Sequence, residues 1–259
     1  MIRVCGLSHH YGLRPVLKDV DLSVEAGELV VLLGPNGSGK TTLLGCMAGA
    51  IWPVRGHVEF DGVRLRETVQ QEKQLRQRIT YLPDDTWLPA NHTGREFLVS
   101  VGGLYGIDDF RCFDHADRLL KLFHLEEKQD AVISNYSTGQ RKKIALASAL
   151  MTEAPYLLLD EPFSGGLDPA GILALKGVLK RLREDAQVTV VMTTPVPALV
   201  EELADRVAII QDQTVSLIAT PGQIQEQAGE ASFEQALGKI LYPEAIDAVG
   251  EYFQQEPQE

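Results

Sequence analysis

The stretch that decides the fold is residues 29–41, which read LVVLLGPNGSGKT. It opens with an unbroken apolar run, typical of a β-strand that is covered on both faces. It continues as G-x-x-x-x-G-K-[ST], in which glycines leave room for backbone N–H groups to surround phosphate oxygens. A buried strand that leads through such a turn into a helix predicts a site for the phosphates of a nucleotide.

Each part of this loop has an expected contact in a complex with ATP. We expect Lys40 to reach the β- and γ-phosphates as a catalytic residue, and the Thr41 hydroxyl to coordinate Mg²⁺. A helix that begins near Thr41 adds the positive end of its dipole. The nucleotide-binding residues predicted here are Gly34, Pro35, Asn36, Gly37, Ser38, Gly39, Lys40, Thr41 and Thr42.

A second motif consists of two adjacent carboxylates that follow the apolar run at residues 156–159. Asp160 is predicted to bind Mg²⁺, and Glu161 is predicted to polarise the attacking water as the catalytic base. By itself, an apolar run that ends in Asp-Glu is a common structural feature. Together with the phosphate loop it indicates ATP hydrolysis, because a P-loop protein needs a metal-binding acid on a neighbouring strand.

Elsewhere the chain alternates short apolar runs with helical patterns, which predicts an α/β fold with a mainly parallel sheet. Apolar residues at helical spacing within residues 116–123 and 175–182 predict helices that pack on this sheet. The predicted fold class is therefore a P-loop NTPase core. The further strands are predicted at residues 79–82, 156–159, 188–192 and 207–210.

Two regions depart from this alternation. Residues 1–28 and 54–66 read as short strands with a turn at Asp61-Gly62, and they predict an antiparallel β subdomain at one edge. Residues from about 91 to 150 are predicted to form an inserted helical subdomain. The predicted domains are an ATPase domain over residues 1–221, in which the helical subdomain is inserted, and a C-terminal helical extension with a polar tail over residues 222–259.

Composition restricts the classes of partner. The 259 residues carry 36 acidic and 24 basic side chains, a formal charge of −12, so we expect no nucleic-acid partner. The three cysteines (Cys5, Cys46 and Cys112) lack ligand-like spacing, which predicts a reducing compartment and no structural metal. Because no apolar run approaches the roughly 20 residues that span a bilayer, we expect a cytosolic chain that reaches a membrane through partners.

A third motif, Tyr-Ser-Thr-Gly-Gln at residues 136–140, precedes a predicted helix and lies 20 residues ahead of Asp160, counted from Gln140. In isolation it reads as a helix cap. In this position it resembles the L-S-G-G-Q signature of ABC ATPases, with Thr138 replacing the first glycine. Further segments extend the resemblance over nearly the whole chain: 93–97 resembles T-V-R-E-N, 205–209 matches D-R-V-A-I, and 232–237 resembles the S-L-E-E-A-F of exporter-type subunits.

The resemblance implies the ATP-binding and ATP-hydrolysing subunit of an ABC membrane transporter, exporter-type, on the cytoplasmic face of the membrane. Its partners would be transmembrane permease subunits and a second ATPase subunit, with a homodimer favoured over a heterodimer. The resemblance also implies that the dimer would be head-to-tail and would close on ATP. Tyr11 would stack on adenine, with core packing as the alternative. The signature residues that would contact the partner subunit's ATP are Ser137, Thr138, Gly139 and Gln140.

Other functions predict other features. A soluble ABC ATPase that acts in translation or DNA maintenance is the main alternative, but such proteins usually carry two cassettes or a long coiled-coil insert. A GTPase outside the family should show [NT]-K-x-D, whereas the nearest string, residues 127–130, reads EKQD.

The permease is expected to contact the region from Asp84 to Phe97, where Trp87 and Leu88 are apolar candidates. Core packing is the alternative for Trp87.

Three departures from the family pattern bear on mechanism. Pro195 stands where the family has a histidine that contacts the γ-phosphate, and proline supplies neither imidazole nor backbone donor. Asp84 replaces a glutamine and is a predicted metal contact, because carboxylate binds metal but donates no hydrogen bond. The loop 164–168 has one extra glycine, which is expected to loosen the placement of Asp168. We therefore hypothesise slow turnover; alternatively Thr194, a water or a partner's residue compensates.

Overall fold

The computed structural model describes residues 1–185 and 188–242. Within them the chain forms two sheets and a set of helices, and the predicted α/β fold class is confirmed. The strands are β1 Ile2–Tyr11, β2 Arg14–Val24, β3 Leu29–Leu33, β4 Arg55–Phe60, β5 Val63–Arg64, β6 Ile79–Leu82, β7 Tyr156–Leu159, β8 Thr189–Thr193, β9 Arg206–Gln211 and β10 Thr214–Ala219. The helices are α1 Lys40–Met47, α2 Val69–Arg76, α3 Gly94–Leu104, α4 Asp109–Leu122, α5 Thr138–Met151, α6 Pro169–Glu184, α7 Pro197–Leu203, α8 Pro221–Ala228 and α9 Phe233–Leu241.

The main sheet has six strands in the order β10-β9-β3-β8-β7-β6. Five of them are parallel, and only β10 at the edge runs antiparallel to its neighbour. Strand β3 lies inside the sheet, between β8 and β9, so the phosphate loop leaves from its centre. The carboxyl ends of β3, β7 and β8 meet at one edge, where the predicted catalytic groups therefore converge.

Because side chains alternate between the two faces of each strand, a separate core lies on each face of the main sheet. On β3, Leu29, Val31 and Leu33 face one buried cluster, which also includes residues of α3, α4, α5, α6 and α9. Val30 and Leu32 face a second cluster, shared with α1 and the smaller sheet. Both faces of the strand are covered, which explains its unbroken apolar sequence and confirms that reading of the pattern.

The smaller sheet is antiparallel, with the order β2-β1-β4-β5, as expected for residues 1–28 and 54–66. The turn that joins β4 to β5 is the predicted Asp61-Gly62 pair, and both residues have positive φ. Two such residues match the right-handed twist of the flanking strands. The sequence signal was readable because Asp-Gly is a favoured pair for this turn.

The region from about 91 to 150 folds as the three helices α3, α4 and α5, without a named strand. Thr93 caps α3 through a reciprocal capping box with Glu96, and Asp108 caps α4. The residues at helical spacing, Ala116, Leu119, Leu120 and Phe123, are all buried. The boundaries assigned to the predicted domains stay predictions, although α8 and α9 do follow the last strand. The polar tail predicted from the sequence falls outside the described residues after Tyr242.

Some elements differ from the sequence-based expectation. Strand β8 begins and ends one residue later than the predicted 188–192. Strand β10 was not predicted, because its hairpin turns at Asp212 and Gln213. Both have positive φ without a glycine, so the usual hairpin signal is missing. The sequence does not predict helix α2, because the helix has one buried residue, Leu75, and therefore no apolar periodicity.

Candidate nucleotide site and signature surface

The phosphate loop is held open by glycine conformations that a side chain would strain. Gly34, Gly37 and Gly39 have φ of +149°, +80° and +107°. A Cβ on Gly34 would lie 2.2 Å from the carbonyl oxygen of Ile210, and one on Gly39 would lie 2.8 Å from Leu17. These glycines allow the loop to pass close to neighbouring strands and to turn its N–H groups inward.

Lys40 closes the loop from within. Its Nζ donates hydrogen bonds to the carbonyl oxygens of Gly34 at 2.8 Å and Pro35 at 3.0 Å. Desolvation lowers the pKa of Lys40, while the charges of Glu161 and Asp160 act in the opposite direction. The ammonium group therefore lies in the field of the predicted catalytic base, Glu161, and of the predicted metal ligand, Asp160.

Asp160 and Glu161 are tied together by Thr193 at the end of β8. The Thr193 hydroxyl donates to Asp160 Oδ1 at 2.6 Å and accepts from the Glu161 N–H at 2.8 Å. Asp160 is 1% exposed, and its Oδ2 has no hydrogen-bond partner among the described residues. Glu161 has φ of +44°, a region that non-glycine residues seldom adopt and that costs backbone strain. Sequence reasoning missed the role of Thr193, which only strand pairing reveals.

An open cleft of about 530 Å³ joins most of the predicted nucleotide contacts. Tyr11 lies at one end of it, 54% exposed, and the edge of His9 packs against its ring with centroids 4.7 Å apart. Core packing of Tyr11, the alternative reading, is therefore wrong. The cleft also includes Arg14, which the sequence motifs did not predict. The lining residues are Tyr11, Arg14, Val16, Asn36, Gly37, Gly39, Lys40, Thr41, Thr42 and Glu161.

The donor set fits a magnesium ion. Asp160 presents a buried and unpartnered carboxylate oxygen, and a buried charge of this kind is costly unless a cation or donor meets it. Thr41 lines the same cleft as Glu161 and Lys40. Hard oxygen ligands of these types are the ones that Mg²⁺ prefers in nucleotide sites.

The signature residues form the N-terminus of α5. Ser137 is the N-cap, its Oγ accepting from the Gln140 N–H at 3.2 Å while the Gln140 side chain accepts from the Ser137 N–H at 2.9 Å. Ser137 and Thr138 are exposed. Gly139 packs against the lengthened loop, where a Cβ would lie 2.7 Å from the carbonyl oxygen of Gly166. This helix end faces solvent in the single chain.

The extra glycine of loop 164–168 is accommodated locally. Gly165 and Gly166 have φ of +77° and +80°, so both take up the left-handed conformation. Asp168 follows as the N-cap of α6, accepting from the Gly171 N–H at 2.8 Å, and it pairs with Lys143 at 2.8 Å. The pair, more than any other contact, lowers the pKa of Asp168. Asp168 is thus fixed by two bonds within the chain, which differs from the loose placement expected from the sequence.

Asp84 lies outside the cleft that contains the phosphate loop. Its Oδ1 accepts from Ser164 Oγ at 2.9 Å and pairs with Lys142 at 3.5 Å. Ser164 Oγ also lies 2.8 Å from the Glu161 carbonyl oxygen, which connects Asp84 to the catalytic strand end. Asp84 lines a second cleft of about 520 Å³ together with Trp87 and Leu88. Trp87 is 82% exposed, so core packing does not explain it.

Pro195 is exposed at the start of the segment that follows β8. Thr194, a suggested substitute for the family histidine, is buried, and its hydroxyl accepts from the Val196 N–H at 3.3 Å. Its side chain is therefore directed into the protein and already bonded. Of the three suggested compensations, the one from Thr194 loses its support.

This geometry agrees with the comparison to known sequences. The sequence pattern of the family described as ABC transporter matches residues 17–164, more than half of the chain, and the chain belongs to this family. It is therefore an ATP-binding subunit of the ABC transporter type and an ATPase.

Relatives with different transport roles have comparable sequence identities to this chain. The sulfate/thiosulfate import ATP-binding protein CysA of Caulobacter vibrioides is 35% identical over 241 residues, covering 90% of this chain and 68% of that protein. The daunorubicin resistance ATP-binding protein DrrA3 of Streptomyces coeruleorubidus is 32% identical over 228 residues, covering 88% and 71%. The comparison leaves the direction of transport undecided.

Solved structures show the same fold. An ATP-binding subunit of an ABC transporter superposes with a TM-score of 0.84 at 29% identity, covering 92% of this chain and 98% of that one. The dimeric structure of MJ0796, a bacterial ABC transporter cassette, gives a TM-score of 0.77 at 25% identity, covering 85% and 98%. Over the part of the chain that the structure describes, no helix is both long and apolar enough to cross a membrane.

Proposed function

We propose that this chain hydrolyses Mg²⁺-ATP as one half of a head-to-tail dimer and drives permease subunits of an ABC exporter. The observation that carries the proposal is the strand end where Thr193 holds Asp160 and Glu161 together beside Lys40. In this position Asp160 would hold the metal, and Glu161, which lines the same cleft as Lys40, would polarise the attacking water.

The nucleotide cleft divides the roles among its residues. Lys40 leaves its loop carbonyls for the β- and γ-phosphates, and the loop N–H groups supply further donors. The exposed ring of Tyr11 stacks on adenine, braced by His9. Arg14 is a cation without a carboxylate partner in the described residues, and it adds positive charge at the same opening. Mg²⁺ supplies charge neutralisation between the β- and γ-phosphates when it is bound.

A dimer explains why the signature residues are exposed. Ser137, Thr138 and the N–H of Gly139 stand at a helix N-terminus, which favours a negatively charged group. The γ-phosphate held by a second chain supplies that group. Because ADP lacks it, ATP favours the closed dimer, and hydrolysis favours opening. The homodimer is the simplest arrangement, and the solved dimer of a related cassette supports it.

The second cleft is the proposed contact for the transmembrane subunits, at the cytoplasmic face of the membrane. Trp87 and Leu88 provide apolar surface there, and Asp84 links this surface through Ser164 to the backbone of Glu161. A movement of the permease would thus reach the catalytic base through the Ser164 hydroxyl, which has one proton for its two acceptors, Asp84 and the Glu161 carbonyl oxygen. The exporter assignment rests on the resemblance of residues 232–237, which open α9, and on the short helical subdomain.

We further propose that turnover is slow. The family histidine is replaced by Pro195, and the neighbouring Thr194 is buried and bonded to its own loop. Binding residues are complete, whereas one donor to the γ-phosphate is missing. Loss of a single donor to developing charge typically costs about 10²–10³ in rate.

Steady-state hydrolysis and ATP binding by the purified chain test this proposal. We expect Glu161→Gln to lower turnover by about 10²-fold or more with ATP binding retained, and exposed Glu127→Gln to change neither. Pro195→His should raise turnover at least about tenfold, whereas Pro195→Ala, which restores the backbone N–H without adding an imidazole, should not. Equal turnover of Glu161→Gln and the parent chain would refute hydrolysis at this site. Fast turnover of the parent chain would refute the slow mechanism.

A further inference from the structure

The outer face of the smaller sheet carries a cluster that no motif of the sequence reveals. Cys5 on β1 and His57 on β4 are directly opposite each other in the antiparallel pairing. Glu59 lies two residues along β4 and therefore points to the same face. All three side chains are partly buried, and none of them lines the nucleotide cleft.

The three side chains bring their donor atoms together. One ligand atom from each lies within 4.8 Å of the other two, and His57 Nε2 is 3.0 Å from Glu59 Oε1. In a tetrahedral zinc site these atoms would be about 3.3–3.6 Å apart, given Zn–S and Zn–N bonds of about 2.3 and 2.0 Å. Closing the cluster around an ion therefore requires side-chain movements of only about 1 Å.

The chemistry of the donors selects the ion. Thiolate, imidazole and carboxylate together are typical ligands of Zn²⁺, whereas Mg²⁺ and Ca²⁺ prefer oxygen alone. Burial and the charges of Glu59 and Asp21 raise the pKa of the Cys5 thiol, against an opposing contribution from Arg3. A bound cation would displace the thiol proton, and the charges of Glu59 and Asp21 would then stabilise that cation.

We propose that Cys5, His57 and Glu59 bind one Zn²⁺ ion, with water completing the coordination. The ion joins β1 to β4 on the solvent face of the sheet. Since β1 ends at Tyr11, the site stiffens the strand that carries the adenine-stacking ring. The inference is independent of the direction of transport and of the catalytic proposal, because the two sets of residues do not overlap.

A cobalt titration tests the site directly. We would use the untagged full-length chain, treated with chelator and free of nucleotide, because ATP itself binds divalent ions. Co²⁺ should produce a near-ultraviolet sulfur-to-cobalt band that saturates at one equivalent, and Zn²⁺ should abolish it. At a hundredfold excess over its Kd, Zn²⁺ should also raise Tm by about 5 °C.

Variants separate the cluster from adventitious binding. Cys5→Ser should lose the cobalt band, and His57→Asn should weaken Zn²⁺ binding at least about tenfold. His10→Asn, an exposed histidine on the same strand, should leave both unchanged. A band that persists in Cys5→Ser, or Co²⁺ binding without any thiolate band, would overturn the proposal.

Thiol protection gives a measurement on the unaltered protein. Cys46 and Cys112 are buried, so a thiol reagent should label Cys5 first. Zn²⁺ should slow that labelling, and unchanged labelling at saturating Zn²⁺ would overturn the proposal even if a variant failed to fold. Mg²⁺-ATP binding, measured separately on the same variants, distinguishes failure of this site from failure of the nucleotide site.

Discussion

The nucleotide cleft and the signature residues 137–140 differ in how many of their polar groups find hydrogen-bond partners within the single chain. Near the cleft, Asp160 retains a buried oxygen without a partner among the described residues, and Lys40, which lines the cleft, is hydrogen-bonded to carbonyl groups of its own loop. At the signature, the Ser137 hydroxyl and the Gln140 side chain already complete a capping box. The cleft therefore has polar groups available for a ligand within one chain. The polar groups of the signature are already satisfied, and we propose that this helix end acts only on a second chain.

This difference indicates which experiments separate ATP binding from ATP turnover. Changes in the cleft should act on a monomer and alter affinity for ATP. Substitutions at the signature should leave the affinity of the monomer for ATP unchanged. They should alter only dimerisation and the turnover that depends on it. A variant that violates this division would break the comparison.

The largest effect is expected for Lys40→Ala. Its ammonium group supplies charge-assisted hydrogen bonds to phosphate, worth about 1.5–3 kcal/mol, so affinity should fall about 10- to 100-fold and turnover should vanish. Equilibrium binding of a fluorescent ATP analogue measures this. Lys18→Ala, at an exposed position on β2, is the control that should bind normally. Retained affinity would mean that the loop amides alone hold the phosphates.

Ser137→Asp should affect turnover and ATP-induced dimerisation but not ATP binding by the monomer. Aspartate caps a helix about as well as serine, so folding is preserved, but its charge would face the γ-phosphate of a partner chain. We expect turnover to fall about 100-fold and ATP-induced dimerisation to be lost in light scattering, with unchanged binding to the monomer. Thr220→Asp alters the equivalent cap of α8, away from both clefts. If both variants behaved alike, the signature would have no special role.

Thr193→Val removes the hydroxyl that links the two carboxylate residues. It leaves Asp160 Oδ1 and the Glu161 N–H without their partner, and should lower the free energy of unfolding by about 2–4 kcal/mol. Thr189→Val, on the same strand, releases only the Gly27 N–H and should cost about half as much. Urea unfolding of the two variants decides this. Equal losses would show that the Thr193 link is not special.

Asp168→Asn should give the smallest effect, visible as a change in pH dependence. The folded pKa of Asp168 is lowered by Lys143, so its stabilisation is present above the unfolded pKa and is lost as pH falls through the folded value. Asparagine keeps the helix cap and an oxygen that can accept from Lys143, so the variant should lose only about 1 kcal/mol near neutral pH, since the half-exposed Asp168 carboxylate is screened although Lys143 is buried. The difference should shrink in acid. A difference independent of pH would contradict the ion-pair explanation.

A sequence pattern predicts a structural feature when the residues that cause the feature are close together in the chain. The unbroken apolar run of β3, the Asp-Gly turn and the cap of α5 act within a few residues, and the sequence predicts each of them. The hairpin at Asp212 and Gln213 was not, because its left-handed residues are not of the usual types. The exposure of Tyr11 and Trp87 also required the fold, because an aromatic residue near an apolar strand suits a core or a surface equally.

The sequence by itself determined the nucleotide chemistry, since the phosphate loop and the acidic pair carry their function in contiguous residues. Tertiary structure alone decided the Thr193 link, the connection from Asp84 to Glu161 and the cluster of Cys5, His57 and Glu59. The physical reason is sequence separation. Strand pairing places residues far apart in the chain within a few ångströms, and no short motif records which residues will meet.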